Sequence, residues 1–169
     1  MVAGFPSPTN PRSSRNEVLA EYLDYFRGRV IEKVLSLPAE ELRRSRLSSG
    51  WTPLELLVHL RHVENRWLVW GFLGEEVADP WGDERQGRWH VAEGASAAQL
   101  TAALAEQGRV SRRIITDHDL AQVGEPGERW DGSPPATLER VCLHLLQEYA
   151  RHLGHLDIVA ELAGVEAEE

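Results

Sequence analysis

Gly50-Trp51-Thr52-Pro53-Leu54-Glu55-Leu56-Leu57-Val58-His59-Leu60-Arg61-His62-Val63-Glu64 is the stretch whose reading decides the fold. Thr52 suits a helix N-cap, Pro53 the first helical position, and Glu55 the far corner of a capping box in which two side chains satisfy orphan amides. Behind them Leu56, Leu57, Leu60, Val63, Trp67, Trp70 and Phe72 recur at helical spacing to about Leu73. Gly74 then suits a left-handed cap. The spacing predicts a long helix with one apolar face.

Three more helices follow from the same signals. Ser14 and Glu17 open a first helix over about Arg15 to Leu37, stopped by Pro38. Ser96 and Gln99 open a third, which runs to about Thr116. A fourth spans roughly Ala136 to Leu162, with Gly164 as its stop. No alternating run is long enough for a convincing strand. The chain therefore reads as an all-α four-helix bundle over residues 14–164, between a loose proline-bearing tail (1–13) and an acidic tail (165–169).

The connection Glu75–Ala95 is too long for a tight hairpin between helices. A helix of this size is ~33 Å long, and such a connection can return along that length. Helices two and three can then run parallel, joined by a long crossover. Trp81 and Trp89 of this crossover, and Trp130 of the next connection, are expected as lids over one end of the bundle.

Composition narrows the class. The chain has 169 residues, 42% hydrophobic and 27% charged, as one soluble domain would. No run approaches the ~18 apolar residues of a membrane span. A net charge of −9 excludes non-specific binding to nucleic acid. The N-terminal stretch lacks the basic start and apolar core of a secretory signal, and a single cysteine, Cys142, forms no internal disulfide. Both point to the cytoplasm. Seventeen of the eighteen basic residues are Arg, the pattern of a GC-rich genome.

Chemistry concentrates in histidines. His144, Glu148 and His152 are spaced i, i+4, i+8 on one face of helix four. Each step drifts ~40° round the axis, so one ion can take Glu148 with one histidine of the pair and hardly all three. His59 sits on the apolar side of helix two. One histidine there plus a Glu/His pair from helix four makes a three-ligand site of the kind bundles build between facing helices. Two imidazoles and a carboxylate suit one divalent ion, Zn, Ni or Fe, and leave coordination positions open. Taken singly, each of these residues reads as an ordinary core or surface side chain, and Glu148 as half of an ion pair with Arg151 or an Arg of helix two. The joint pattern singles them out.

The stretch Gly50–Glu64 resembles the second-helix motif of the DinB/YfiT-like superfamily, and His144–Asp157 (HLLQEYARHLGHLD) its fourth-helix motif, within the branch named for a mini-circle protein. The similarity runs from about Asn16 to Gly164. It implies a four-helix bundle with helices two and three parallel, often a homodimer, and a metal held by His59, Glu148 and His152. Glu148 stands where many relatives have a second His, as it does in the thiol-transferase and maleylpyruvate-isomerase relatives. His62, His144 and His155 match none of the usual ligand positions and are expected beside the ligands or on the surface.

The resemblance also implies an activity. Relatives transfer groups to or from low-molecular-weight thiols such as mycothiol or bacillithiol, and a bound metal makes a coordinated thiol ionise at neutral pH. The expected function is a metal-dependent thiol transferase acting on a small molecule, with Arg61 or Arg151 meeting anionic groups of the substrate. Two other readings stand beside it: a metal-dependent hydrolase, and a non-catalytic, stress-associated binding protein. Cys142 lies ~240° round the helix from Glu148 and is read as a small buried hydrophobe.

Overall fold

The computed structural model describes residues 4–165. The helices are α1 (Arg15–Ser36), α2 (Pro53–Glu64), α3 (Ala97–Asp117) and α4 (Leu138–Leu162). The capping signals act as the sequence predicts. Thr52 and Glu55 form a reciprocal box at α2, Ser96 and Gln99 another at α3, and Ser14 accepts from the Glu17 amide at α1. At α4 the cap is Thr137, so the helix begins at Leu138, two residues inside the expected start.

Contacts between helices set their directions. Asn16 of α1 donates to the carbonyls of Ile115 and His118, and Asp24 binds Arg112 at 2.5 Å, so α1 and α3 are antiparallel. Arg15 pairs with Glu139, and Lys33 with Asp157 at 3.2 Å, so α1 and α4 are parallel. Leu57 and Leu100 line one pocket while Glu64 meets Ser111 further along, which makes α2 and α3 parallel. The crossover does return along the bundle.

Two features go beyond the periodicity. Helix two does not end as an α-helix: over Asn65–Phe72 it loosens into π-helical turns, in which each amide reaches one residue further back. Gly71 sits in this stretch, where a Cβ would lie 3.1 Å from the Arg66 carbonyl and 3.3 Å from Arg129 Cγ. Gly74 then closes the helix with φ of +67°, as expected. The crossover also holds a small antiparallel hairpin, β1 (Glu84–Arg85) and β2 (Arg88–Trp89). Gln86 and Gly87 both adopt positive φ, the signature of the two-residue turn whose twist suits a hairpin. The absence of a convincing strand in the sequence is therefore corrected by these two short ones.

The core is mainly leucine, with Leu23, Leu56, Leu57, Leu60, Leu68, Leu104, Leu138, Leu145 and Leu156 all sealed from solvent. Each such side chain contributes about 1.5–3 kcal/mol of transfer free energy. Cys142 is buried among them, and burial pushes its thiol up to about 12. At the N-terminus Phe5 packs edge-on against Tyr22 and Tyr25, and Arg12 pairs with Glu21. Apart from Val165, the acidic tail lies outside the described residues.

A charged cluster sits in the middle of this core. Glu64 is fully buried at the end of α2. One oxygen accepts from Arg27 Nε at 2.8 Å and from the Tyr149 hydroxyl, and the other accepts from Ser111. Arg27 also donates to Asp24 at 2.6 Å. Burial works against the Arg27 charge, but Glu64 more than offsets it and holds the guanidinium protonated. Burial, helped by the Glu64 charge, raises the Tyr149 phenol well above its ordinary value.

Gly108 of α3 gives this cluster its room, since a Cβ there would lie 2.5 Å from Arg27 Nε. Alanine normally stabilises a helix interior by about 1 kcal/mol over glycine. Gly108→Ala is expected to destabilise instead, by about 1–3 kcal/mol, because the guanidinium is pinned by two carboxylates. Gly154→Ala on α4, with open space at its Cβ, should stabilise by about 0.4–1 kcal/mol. Urea unfolding of both variants checks the opposite signs.

Candidate metal centre

His59 lies one turn and a half before Glu64 on α2, and faces the Glu148 and His152 ridge of α4. One ligand atom from each of His59, Glu148 and His152 falls within 4.8 Å of the other two. His152 Nε2 is 3.2 Å from Glu148 Oε2, and His59 Nε2 is 4.0 Å from the same oxygen. The His59 and His152 rings stand edge to face with centroids 5.1 Å apart. The three residues picked out in the sequence do come together.

The protonation states suit cation binding. Burial pushes His59 below the ordinary imidazole value despite its carboxylate neighbour, so the ring is neutral at pH 7. The hydrogen bond with His152 holds Glu148 below the usual carboxylate range, against its partial burial. His152 Nδ1 is buried with no hydrogen-bond partner. Two imidazoles and one carboxylate, with an orphaned buried nitrogen among them, form a donor set that fits a divalent ion.

Sequence reasoning missed the residue that aims His59. Asp83, buried in the crossover, lies with Oδ2 at 2.9 Å from His59 Nδ1. Arg66 grips the same carboxylate with both amino groups, at 2.5 and 3.1 Å, and also donates to the Pro80 carbonyl. Burial opposes ionisation of Asp83, but the hydrogen bonds from His59 and Arg66 hold it down to about 2. An ionised carboxylate only accepts, so His59 carries its proton on Nδ1 and presents a bare Nε2 to α4. Asp83 belongs to no periodic segment and no motif, so only the folded crossover shows it.

The other histidines divide. His144 Nε2 is 3.6 Å from Glu148 Oε1, and its ring packs on Trp67. His155 lies 5.8 Å from His152, ring to ring. Both therefore flank the triad. His62 instead lines a separate pocket with Arg61 and His90. Glu148 faces three histidines, and among the described residues it pairs with no arginine.

The lid expectation is redistributed. Trp89, turned back by the hairpin, stacks on His59 at 4.0 Å with 19° between planes. Trp81 is half exposed and lies over the Arg66 guanidinium at 4.4 Å. Trp130 is a core residue packed against Trp67 rather than a lid. Arg61 opens onto the His62 pocket, and Arg151 is exposed on α4.

A family model described as Mycothiol-S-transferase matches residues 18–164, which take in all but the first three residues of α1 and the whole of the site. The chain belongs to the mycothiol S-transferase family. This places it within the DinB/YfiT-like group to which its two helical motifs point. No curated protein and no solved structure matches it. In this family member the triad comes from α2 and α4, and its alignment comes from the crossover between α2 and α3.

The tautomer is directly measurable. In the metal-free protein, imidazole nitrogen NMR should find the His59 proton on Nδ1. Asp83→Asn should erase that preference, because an amide can donate as well as accept. A wild-type His59 protonated on Nε2 would contradict the alignment.

Proposed function

We propose that this protein is a metal-dependent S-transferase that uses a small thiol, of the mycothiol kind, and that His59, Glu148 and His152 hold one divalent ion, Zn, Ni or Fe. The observation that carries the reading is the convergence of three metal-ligating side chains in a chain of this family. Such an ion supplies thiolate at neutral pH by stabilising the deprotonated sulfur. Three protein ligands leave room for a thiol as a further ligand, which a closed four-ligand structural site does not.

The chain's own residues do the rest. Asp83 fixes the His59 tautomer, and Arg66 keeps Asp83 charged and in place. His152, sealed on α4, and Glu148, kept ionised, supply the remaining donors. Trp89 shields the outer face of His59 from water. The nucleophile comes from outside, since Cys142 is buried and its thiol is held protonated. In this reading the enzyme acts in the cytoplasm on a small-molecule electrophile. It works as a homodimer, for which Leu35, Ile158 and Leu162 offer exposed apolar surface near the ends of α1 and α4.

Elemental analysis of protein purified without a metal-affinity step tests the site. The wild type should carry about one Zn, Ni or Fe per chain, and both His59→Ala and Glu148→Gln should lose it while keeping their helical content. Stoichiometric metal in either variant would overturn the ligand set. A wild type that stays empty after incubation with these ions would overturn the metal dependence itself.

A further inference from the structure

A pocket of about 220 Å³ lies between α2, the crossover and the start of α3. Arg61 and His62 of α2, with Arg85 and His90 of the crossover, line it with polar groups, and Leu57, Val91 and Leu100 are among its apolar residues. None of the triad residues lines it. Asp83 bonds His59 and Trp89 stacks on it, while their chain neighbours Gly82 and His90 line this pocket. The crossover is thus a wall with the triad on one side and the pocket on the other. The His90 amide donates to the Asp83 carbonyl at 2.8 Å and ties the base of the hairpin. Arg43 donates to the carbonyls of Ala92, Glu93 and Ala95, which fixes the rim as well.

The charge of the lining is one-sided. A guanidinium stays protonated in a protein, and no carboxylate is among the lining residues. Neither Arg61 nor Arg85 pairs with an acid among the described residues. Two other pockets lack this imbalance: in one Arg12 pairs with Glu21 and Arg112 with Asp24, and in the other Glu55 accompanies Arg88. Two unpaired guanidiniums at one pocket, in a chain of net charge −9, select an anion. His62 adds an unmet polar demand, since its Nδ1 is buried with no hydrogen-bond partner. A bare inorganic ion would leave the apolar lining unused, and the pocket is smaller than the ~300–1,000 Å³ of drug-sized sites. An anion carried on a compact apolar body matches charge, floor and size together.

We infer that this pocket is a second small-molecule site, for a carboxylate with a compact apolar body, in which Arg61 and Arg85 take the carboxylate and Leu57, Val91 and Leu100 face the body. The planar fork of donors on a guanidinium matches the two oxygens of a carboxylate. The pocket opens to solvent, so water partly screens each ion pair and the affinity is modest. Selectivity for the anion over a neutral molecule of the same shape comes from the lack of any opposing acid. No triad residue takes part, so binding does not depend on an ion at His59, Glu148 and His152.

Heteronuclear NMR of the full-length protein tests the site, with cyclohexanecarboxylate as the probe, its amide as the uncharged match and inorganic phosphate as the bare oxyanion. The carboxylate should shift the backbone amides of Val91, Ala92 and Leu100 saturably, at millimolar concentration. The uncharged match, and the carboxylate with Arg61→Gln or Arg85→Gln, should bind at least about fivefold more weakly. Both arginines are exposed and unpaired, so each variant should keep its helical content. Phosphate should also bind more weakly than the carboxylate. Glu148→Gln, which disables the triad, should bind the carboxylate as the wild type does, so the pocket and the metal centre succeed or fail separately. The absence of a saturable shift, or shifts confined to the triad, would overturn the inference. So would equal binding of the carboxylate and either comparison compound, or of the wild type and both arginine variants.

Discussion

The carboxylate of Glu64 is the constraint on which the rest of the structure depends. It is fully buried, and an ionised carboxylate left unpaired there would cost several kcal/mol. Its three donors, Arg27, Ser111 and Tyr149, come one each from the other three helices. Apolar packing alone tolerates sliding of one helix past another; a carboxylate that must find three donors does not. A shift of one helical turn, about 5.4 Å, would strand Glu64 and at the same time carry His59 away from Glu148. Register in the core and geometry at the triad are therefore one requirement.

The crossover is the second fixed point. Connections of this length without helices are commonly either disordered or functional. Here Arg66, itself buried, reaches from the π-helical end of helix two to clamp Asp83 and Pro80, and Trp81 lies over its guanidinium. A bidentate guanidinium–carboxylate pair fixes orientation as well as distance. The clamp holds the loop that holds His59. From that anchor the hairpin turns Trp89 back over the imidazole, so one wall of the site consists of crossover rather than bundle.

Much of this was legible in the sequence, for a definite reason. The Thr52/Glu55 and Ser96/Gln99 boxes are local, and the apolar stripes that follow them report burial directly, so four helices and their order could be read. His59, Glu148 and His152 were legible because helical spacing puts the pair on one ridge and family motifs select it. The π-helical turns were not, because a 3.6-residue pattern holds no mark of where the bonding loosens. Asp83 and Arg66 were not, because they lie 17 positions apart, on a loop and a helix end, with no periodicity linking them. Trp130 read as a lid because an aromatic residue in a long connection looks exposed until its neighbour, Trp67, is placed.

The two glutamates of the α2–α4 interface show how environment separates roles. Glu64 has no exposed surface, and its oxygens are taken by three protein donors, two of them neutral hydroxyls and one a guanidinium; a cation arriving there would meet occupied lone pairs and a positive charge. Glu148 is partly exposed, with 18% of its side chain accessible, and its neighbours are histidines. Imidazoles can give up their protons, whereas a guanidinium cannot. Tyr149, the next residue on α4, points about 100° away into the core to close the Glu64 cluster. A single helix thus places one side chain to lock the fold and the adjacent one to face the histidines of the triad, and the rigidity of the first fixes the position of the second.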